Sequence, residues 1–129
     1  MARILVIEDE PALCRLYQIV LEQQGYETVL AETGEAGIKA AERTKPDLVI
    51  LDLVLPDMPG IQVAERLRQD GILPNAPLIV TTGLGQENTA ALAESHGAYA
   101  VLIKPFNIGE ITASVRAALD AAAQHTPPG

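Results

Sequence analysis

Five short apolar runs recur along the chain, at Ile4–Ile7, Thr28–Ala31, Leu48–Leu51, Leu78–Val80 and Val101–Ile103. The first, third and fourth are continuous rather than alternating, which is the pattern of strands covered on both faces. Between the runs the period becomes helical. Pro11 opens a stretch in which Leu13, Leu16, Tyr17, Val20 and Leu21 repeat at three and four; proline suits a first turn, where its missing N–H is not needed. Gly25 can take the left-handed conformation that ends a helix. A second helix is predicted from Glu35 to Arg43, weakened by Gly37 and a mostly alanine face. A third runs from Ile61 to Arg68, and a fourth, rich in alanine, from Glu87 to Ser95, closing at His96-Gly97. A fifth begins at Asn107, which can cap its free N–H groups in a capping-box-like pair with Glu110. Strand followed by helix, five times over, predicts an α/β domain: a parallel sheet with helices on both faces, joined by right-handed crossovers. The domain is expected over residues 1–123. Residues 124–129, with their Pro-Pro-Gly, read as a disordered tail.

In such sheets ligands bind beyond the carboxyl ends of the strands, near the point where strand order reverses. The first run ends in Glu8-Asp9-Glu10, the third in Asp52, the fourth in Thr81-Thr82-Gly83 and the fifth in Lys104-Pro105-Phe106. Taken singly these are ordinary loop residues. Glu10 and Asp57 read as favourable charge at the positive end of a helix, and Thr81 as a satisfied core hydroxyl. Taken together, four strands each deliver a complementary polar group to one rim. Asp52 is moreover the single charge at the end of a long apolar stretch, where a carboxylate is costly unless compensated.

Composition narrows the setting. With 129 residues, 48% of them apolar, the chain can build one core. Its 9 basic against 17 acidic residues, net charge -8, leave no basic cluster for nucleic acid or an anionic membrane. The lone Cys14 excludes an internal disulfide and points to a reducing compartment; on the first helix it reads as a small buried hydrophobe. No apolar run has transmembrane length, and the four apolar residues before Glu8 are too few for a signal peptide core. A cytoplasmic protein is expected.

Clustered carboxylates repel one another and call for a cation. Oxygen ligands without His or Cys favour Mg²⁺ or Mn²⁺ over zinc. Lys104 would then hold an anionic group and Thr82 donate a hydrogen bond to it, which together describe a site for phosphoryl transfer onto Asp52.

Those residues, in that order, resemble the receiver domain of a two-component response regulator of the chemotaxis-regulator type, from Ile4 to Leu119. Glu8-Asp9 is similar to the family's acidic pair. Asp52, with Leu55-Pro56 and Gly60 after it, resembles the phosphoacceptor segment, Thr82-Gly83 the switch hydroxyl and its small neighbour, and Lys104-Pro105 the lysine and following proline, whose peptide bond is usually cis. The spacings of 43 from Asp9 to Asp52, 30 to Thr82 and 22 to Lys104 match as well. The resemblance implies a flavodoxin-like doubly wound (βα)5 fold with strand order 2-1-3-4-5. It implies Mg²⁺ held by Glu8, Asp9, Asp52 and the Val54 backbone carbonyl. It implies a histidine kinase or histidine phosphotransfer protein as donor to Asp52, with Lys104 and Thr82 on the phosphoryl oxygens. Switching of the surface of the fourth helix, fifth strand and fifth helix then controls a downstream protein, as a monomer or a weak phosphorylation-dependent dimer. Contact with nucleic acid or membrane through this chain is not expected, and enzymatic activity is limited to self-catalysed phosphorylation and dephosphorylation.

The chain departs from the family pattern in two places. Val101 stands where the family usually carries an aromatic switch residue, with Tyr99 two positions earlier and, by alternation, on the same side. Val54 and Leu84, which flank the path of the hydrolytic water in the family, are apolar here, so slow dephosphorylation is expected. Three other readings remain. One is a receiver fragment of a longer regulator with an output domain. Another is a haloacid dehalogenase-like phosphatase, disfavoured because Val54 stands where its second Asp belongs. The last is a nucleotide-binding module, disfavoured by the lack of a Gly-rich loop after the first strand. His96 reads as a helix-end residue.

Overall fold

The structure, a computed structural model, describes residues 1–83, 91 and 94–124. Nine elements are assigned: β1 (Arg3–Ile7), α1 (Pro11–Gln23), β2 (Glu27–Ala31), α2 (Gly34–Thr44), β3 (Leu48–Asp52), α3 (Gly60–Gln69), β4 (Leu78–Gly83), β5 (Ala100–Lys104) and α4 (Ile108–Gln124). The predicted fourth helix lies mostly outside the described residues, although Ala91, Glu94 and Ser95 are helical. Leu84 and the predicted tail after Gln124 also lie outside them.

The five strands form one parallel sheet in the order β2-β1-β3-β4-β5, the doubly wound arrangement expected. Burial follows position in the sheet. β3 is buried throughout, as are four of the five residues of β1 and five of the six of β4, whereas the edge strands β2 and β5 expose Leu30 and Ile103. This fits the continuous apolar runs of the central strands, although β5, at an edge, is also apolar from Ala100 to Ile103. Alternating side chains feed two cores. Leu5, Ile7, Val49, Leu51 and Val80 pack against α2 and α3, while Ile4, Val6, Ile50 and Ile79 pack against α1 and α4. Each fully buried Leu or Ile contributes about 1.5–3 kcal/mol.

The helix ends follow local chemistry. Pro11 starts α1, and Gly25 beyond it has φ +89°. Asn107 Oδ1 accepts from the Glu110 N–H at 2.9 Å, and its Nδ2 donates back to Glu110 Oε1 at 3.2 Å, the reciprocal pair expected. In α2, Gly37 lies against β1: a Cβ there would sit 2.5 Å from Ile7 Cδ1, so any larger residue would force Ile7 to move. Thr33 caps the same helix by accepting the Ala36 N–H at 3.0 Å. His96 closes its turn onto α3, with Nε2 at 3.2 Å from Glu65 Oε1 and its carbonyl accepting from Arg68. Among the described residues no helix is long and apolar enough to cross a membrane.

Candidate functional site

Strand order reverses at β1 and β3: the chain leaves β1 for β2 on one side and returns to β3 on the other. The carboxyl ends of these two strands therefore flank the crevice where such sheets bind ligands. Ile7 pairs with Leu51, so the next residues, Glu8 and Asp52, come side by side. Asp52 pairs in turn with Thr81, and Gly83 with Lys104. The register alone brings the polar ends of β1, β3, β4 and β5 to one rim.

Lys104 spans that rim. From β5 it crosses the end of β4, about 10 Å for two strand spacings, where Gly83 has no side chain to obstruct it. Its Nζ donates to Glu8 Oε1 at 2.9 Å and to Asp52 Oδ2 at 2.9 Å. The other oxygens of both acids bond to backbone. Asp52 Oδ1 accepts from the Val54 N–H at 3.0 Å, and Glu8 Oε2 from the Glu10 N–H at 3.1 Å. Glu8 and Asp52 are 1% and 5% exposed, whereas Asp9 faces solvent. Carboxylate oxygens of all three lie within 4.8 Å of one another. They open onto a cleft of about 560 Å³ lined also by Glu10, Pro11, Val54, Gly83 and Lys104.

Burial dominates the electrostatics. Desolvation, with repulsion from Asp52 added, raises the Glu8 carboxyl to about 7, against the lowering effect of Lys104 and of the Glu10 N–H. Burial also works against the Lys104 charge, but the bonds to Asp52 and Glu8 outweigh it and hold the ammonium above its ordinary value. Burial and the acids nearby push the Cys14 thiol up to about 11. Its Sγ donates to the Glu8 carbonyl at 3.1 Å, so it is a core group and not a reactive one.

The remaining predicted residues sit around this centre. Thr82 is buried at the end of β4, paired with Ile103. Val101 pairs with Val80 and packs, half-buried, on the α2–α3 core. Tyr99 precedes β5 and is 48% exposed. None of the three is among the described walls of the cleft. The Lys104–Pro105 peptide is cis, as the resemblance implied, and so is Leu73–Pro74. Thr81, expected to be a satisfied hydroxyl, is a correction. Its Oγ1 and the Tyr17 hydroxyl are buried close together without meeting hydrogen-bond geometry, because alternation turns Thr81 into the apolar α1–α4 core.

Two polar roles escaped the sequence. Asp57 does serve a helix N-terminus, but that of α2, accepting from the Gly34 and Glu35 N–H groups at 2.8 and 3.0 Å. Nothing local signals a partner more than twenty residues away. Thr33 had a signal, a threonine directly before a helical stretch with Glu35 in its first turn. A wider hollow of about 740 Å³ lies at the opposite end of the sheet, bordered by Met1, Lys45, Asp47 and Asp70, and carries none of the converging groups.

The chain is similar to known proteins in sequence and in fold. Residues 4–116 match the family model described as the response regulator receiver domain. The chain is 38% identical over 117 residues to the alkaline phosphatase synthesis transcriptional regulatory protein PhoP of Bacillus subtilis, covering 91% of this chain and 48% of that protein. It is 41% identical over 119 residues to the DNA-binding dual master transcriptional regulator RpaA of Synechocystis, covering 92% and 49%. The chain thus spans about half the length of these curated relatives. Its fold superposes on a CheY-like response regulator receiver domain protein from Methanospirillum hungatei with a TM-score of 0.90, at 27% identity over 98% of this chain and 99% of that one. With the family model spanning most of the chain and the strand order shared, this chain belongs to the response regulator receiver domains, the signalling modules of two-component systems.

Proposed function

We propose that the chain is a phosphoacceptor. A phosphohistidine on a histidine kinase or histidine phosphotransfer protein passes its phosphoryl group to Asp52, and the surface around the predicted fourth helix, β5 and α4 responds by changing its hold on a partner protein. The observation that carries this reading is the Lys104 ammonium shared at 2.9 Å by two buried carboxylates, Glu8 and Asp52. Two buried acids against one ammonium leave an excess of acid, and that excess opens onto a cleft, where perturbed ionisable groups mark candidate sites.

In the transfer the P–N bond to imidazole breaks as a P–O bond to Asp52 forms, and the imidazole nitrogen keeps the electron pair. The Val54 N–H and Lys104 orient the Asp52 carboxylate from either side. Glu8, Asp9, Asp52 and the Val54 carbonyl would hold Mg²⁺, or Mn²⁺, which would supply positive charge to the phosphoryl oxygens when bound. The donor set is oxygen only. One carboxylate oxygen from each acid lies within 4.8 Å of the others, close enough for a single cation to be shared. Lys104 pairs with a phosphoryl oxygen once acyl phosphate formation has taken up the charge on Asp52, and Thr82 donates to another. Val101 offers no ring to rotate, so the Thr82 displacement carries the signal through the backbone of β4 and β5. Phosphorylation and dephosphorylation are self-catalysed.

The domain is taken as residues 1–123, in the cytoplasm. The length of the relatives favours a second reading within the same chemistry, in which this is the receiver portion of a regulator whose output domain contacts DNA.

The test is acetyl phosphate with Mg²⁺, read by intact mass. Wild type should gain one phosphoryl group that Asp52→Asn lacks. Equal labelling of both would remove Asp52 from the role.

A further inference from the structure

We propose that Asp57 is a positioning residue for the acidic site, tying the loop after Asp52 to the first turn of α2 and so holding the Asp52 carboxylate in register with Glu8. The inference rests on the phosphoacceptor reading and deepens it.

The loop from Leu53 to Pro59 is closed at its base by backbone. Gly60 N–H donates to the Leu53 carbonyl at 2.8 Å, and Val54 and Pro59 form an antiparallel bridge. A Cβ on Gly60 would lie 2.4 Å from the Asp52 carbonyl oxygen, so the loop's return is pressed against the residue it serves. The loop's contribution to the site is the Val54 N–H on Asp52 Oδ1. At its far end Asp57 holds the first two N–H groups of α2, Gly34 and Glu35. A helix leaves four N-terminal N–H groups without helical partners. In α2 three of these are accounted for, two by Asp57 and Ala36 by the Thr33 hydroxyl, and Gly37 then makes the first helical bond to the Thr33 carbonyl. These N–H bonds hold the Asp57 carboxyl below its ordinary value, Glu35 first, although the side chain is exposed.

The other end of the connection is α2 itself. Gly37 lets that helix lie on Ile7, the residue before Glu8. Asp57 therefore joins the strand carrying Asp52 to the helix seated on the strand carrying Glu8. Base pairing of the loop fixes its exit from β3; the bidentate carboxylate fixes its tip against the opposite side of the crevice.

Four variants test this tether: Asp57→Ala, Asp57→Asn, Thr33→Ala and Glu35→Gln. Thr33→Ala removes the other cap of the same helix without touching the loop. Glu35→Gln removes one negative charge beside Asp57 and leaves the tether. Two readouts are taken on folded, full-length protein: hydrogen exchange of the Val54 amide by NMR, and Mg²⁺ affinity by calorimetry. Asp57→Ala should speed Val54 exchange and weaken Mg²⁺ binding about 10-fold, the low end of what losing outer-shell support costs a metal site. Asp57→Asn, keeping one acceptor oxygen, should recover part of both. Thr33→Ala and Glu35→Gln should leave both within about twofold, as uncoupled sites do. Wild-type values in Asp57→Ala, or equal losses in Thr33→Ala or Glu35→Gln, overturn the proposal. Should wild type bind no Mg²⁺ and gain no phosphoryl group, the phosphoacceptor reading fails, while Val54 exchange still decides whether Asp57 fixes the loop.

Discussion

Replacing Lys104 with Met removes the ammonium that Glu8 and Asp52 share while keeping most of the stem. Two carboxyls, 1% and 5% exposed, are then left without a counter-charge. Removing one partner of a buried pair costs about 3–5 kcal/mol when the other must stay ionised. Here it need not. With Lys104 present, Glu8 titrates at about 7, against 4.5 when unperturbed. A carboxyl raised on folding stabilises the fold below its unfolded value and loses that contribution as pH rises through the folded value. Lys104 is one of the causes holding the Glu8 value down. Without it the carboxyl keeps its proton to higher pH. Below pH 7 both proteins carry neutral Glu8, so the penalty of the variant, chiefly the lost Lys104–Asp52 pair, does not change with pH through Glu8. Above 7 the wild type has released a proton that folded Lys104→Met retains. The gap in stability should then widen by about 1.4 kcal/mol per pH unit. The Lys104 ammonium, held above its ordinary value, stays charged across this range. The assay is urea unfolding between pH 6 and 9 with chelator present, followed by far-UV circular dichroism because the chain has no Trp. A gap that does not change with pH would show that Glu8 and Lys104 are not linked as described.

Two further outcomes follow from the loop after Asp52. Val54 is 57% exposed on the cleft and its apolar side chain cannot hold a water, so Val54→Asn should speed phosphate release from phosphorylated Asp52 about 10-fold by orienting the attacking water; release no faster than wild type would reject the role. The parallel expectation for Leu84 concerns a residue outside the described ones. Gly60→Ala places a Cβ against backbone on both Asp52 and Leu53; a loss of roughly 1–3 kcal/mol in urea unfolding is expected, and unchanged stability would mean that the loop can move away from β3 freely.

The acidic pair shows how much of the site could be read in advance. Glu8 and Asp9 are equivalent neighbours in sequence, but the structure makes them unlike. Glu8 continues the buried face of β1 and meets Lys104, while Asp9 turns to solvent. Gly37 shows the same limit from the other side. As sequence it only weakens a helix; in the fold it admits Ile7, a contact 30 positions away that no local propensity encodes. Asp57 reads as favourable charge at a helix start, and the helix it serves turns out to be one that precedes it in the chain.

What the sequence determined by itself is what depends on near neighbours: the alternation of strand and helix, the caps at Pro11, Gly25 and Asn107, and the order in which Glu8, Asp52, Thr82 and Lys104 arrive at strand ends. These follow from periodicity and from backbone chemistry within a few residues. Only the tertiary structure decided which carboxylate is sealed and what lysine it shares. It also decided where the Val54 N–H points and what anchors the loop behind it. Those outcomes rest on parallel register, which sets residues from distant parts of the chain about 5 Å apart on adjacent strands, and on burial, which, with Asp52 close by, raises the Glu8 carboxyl to about 7.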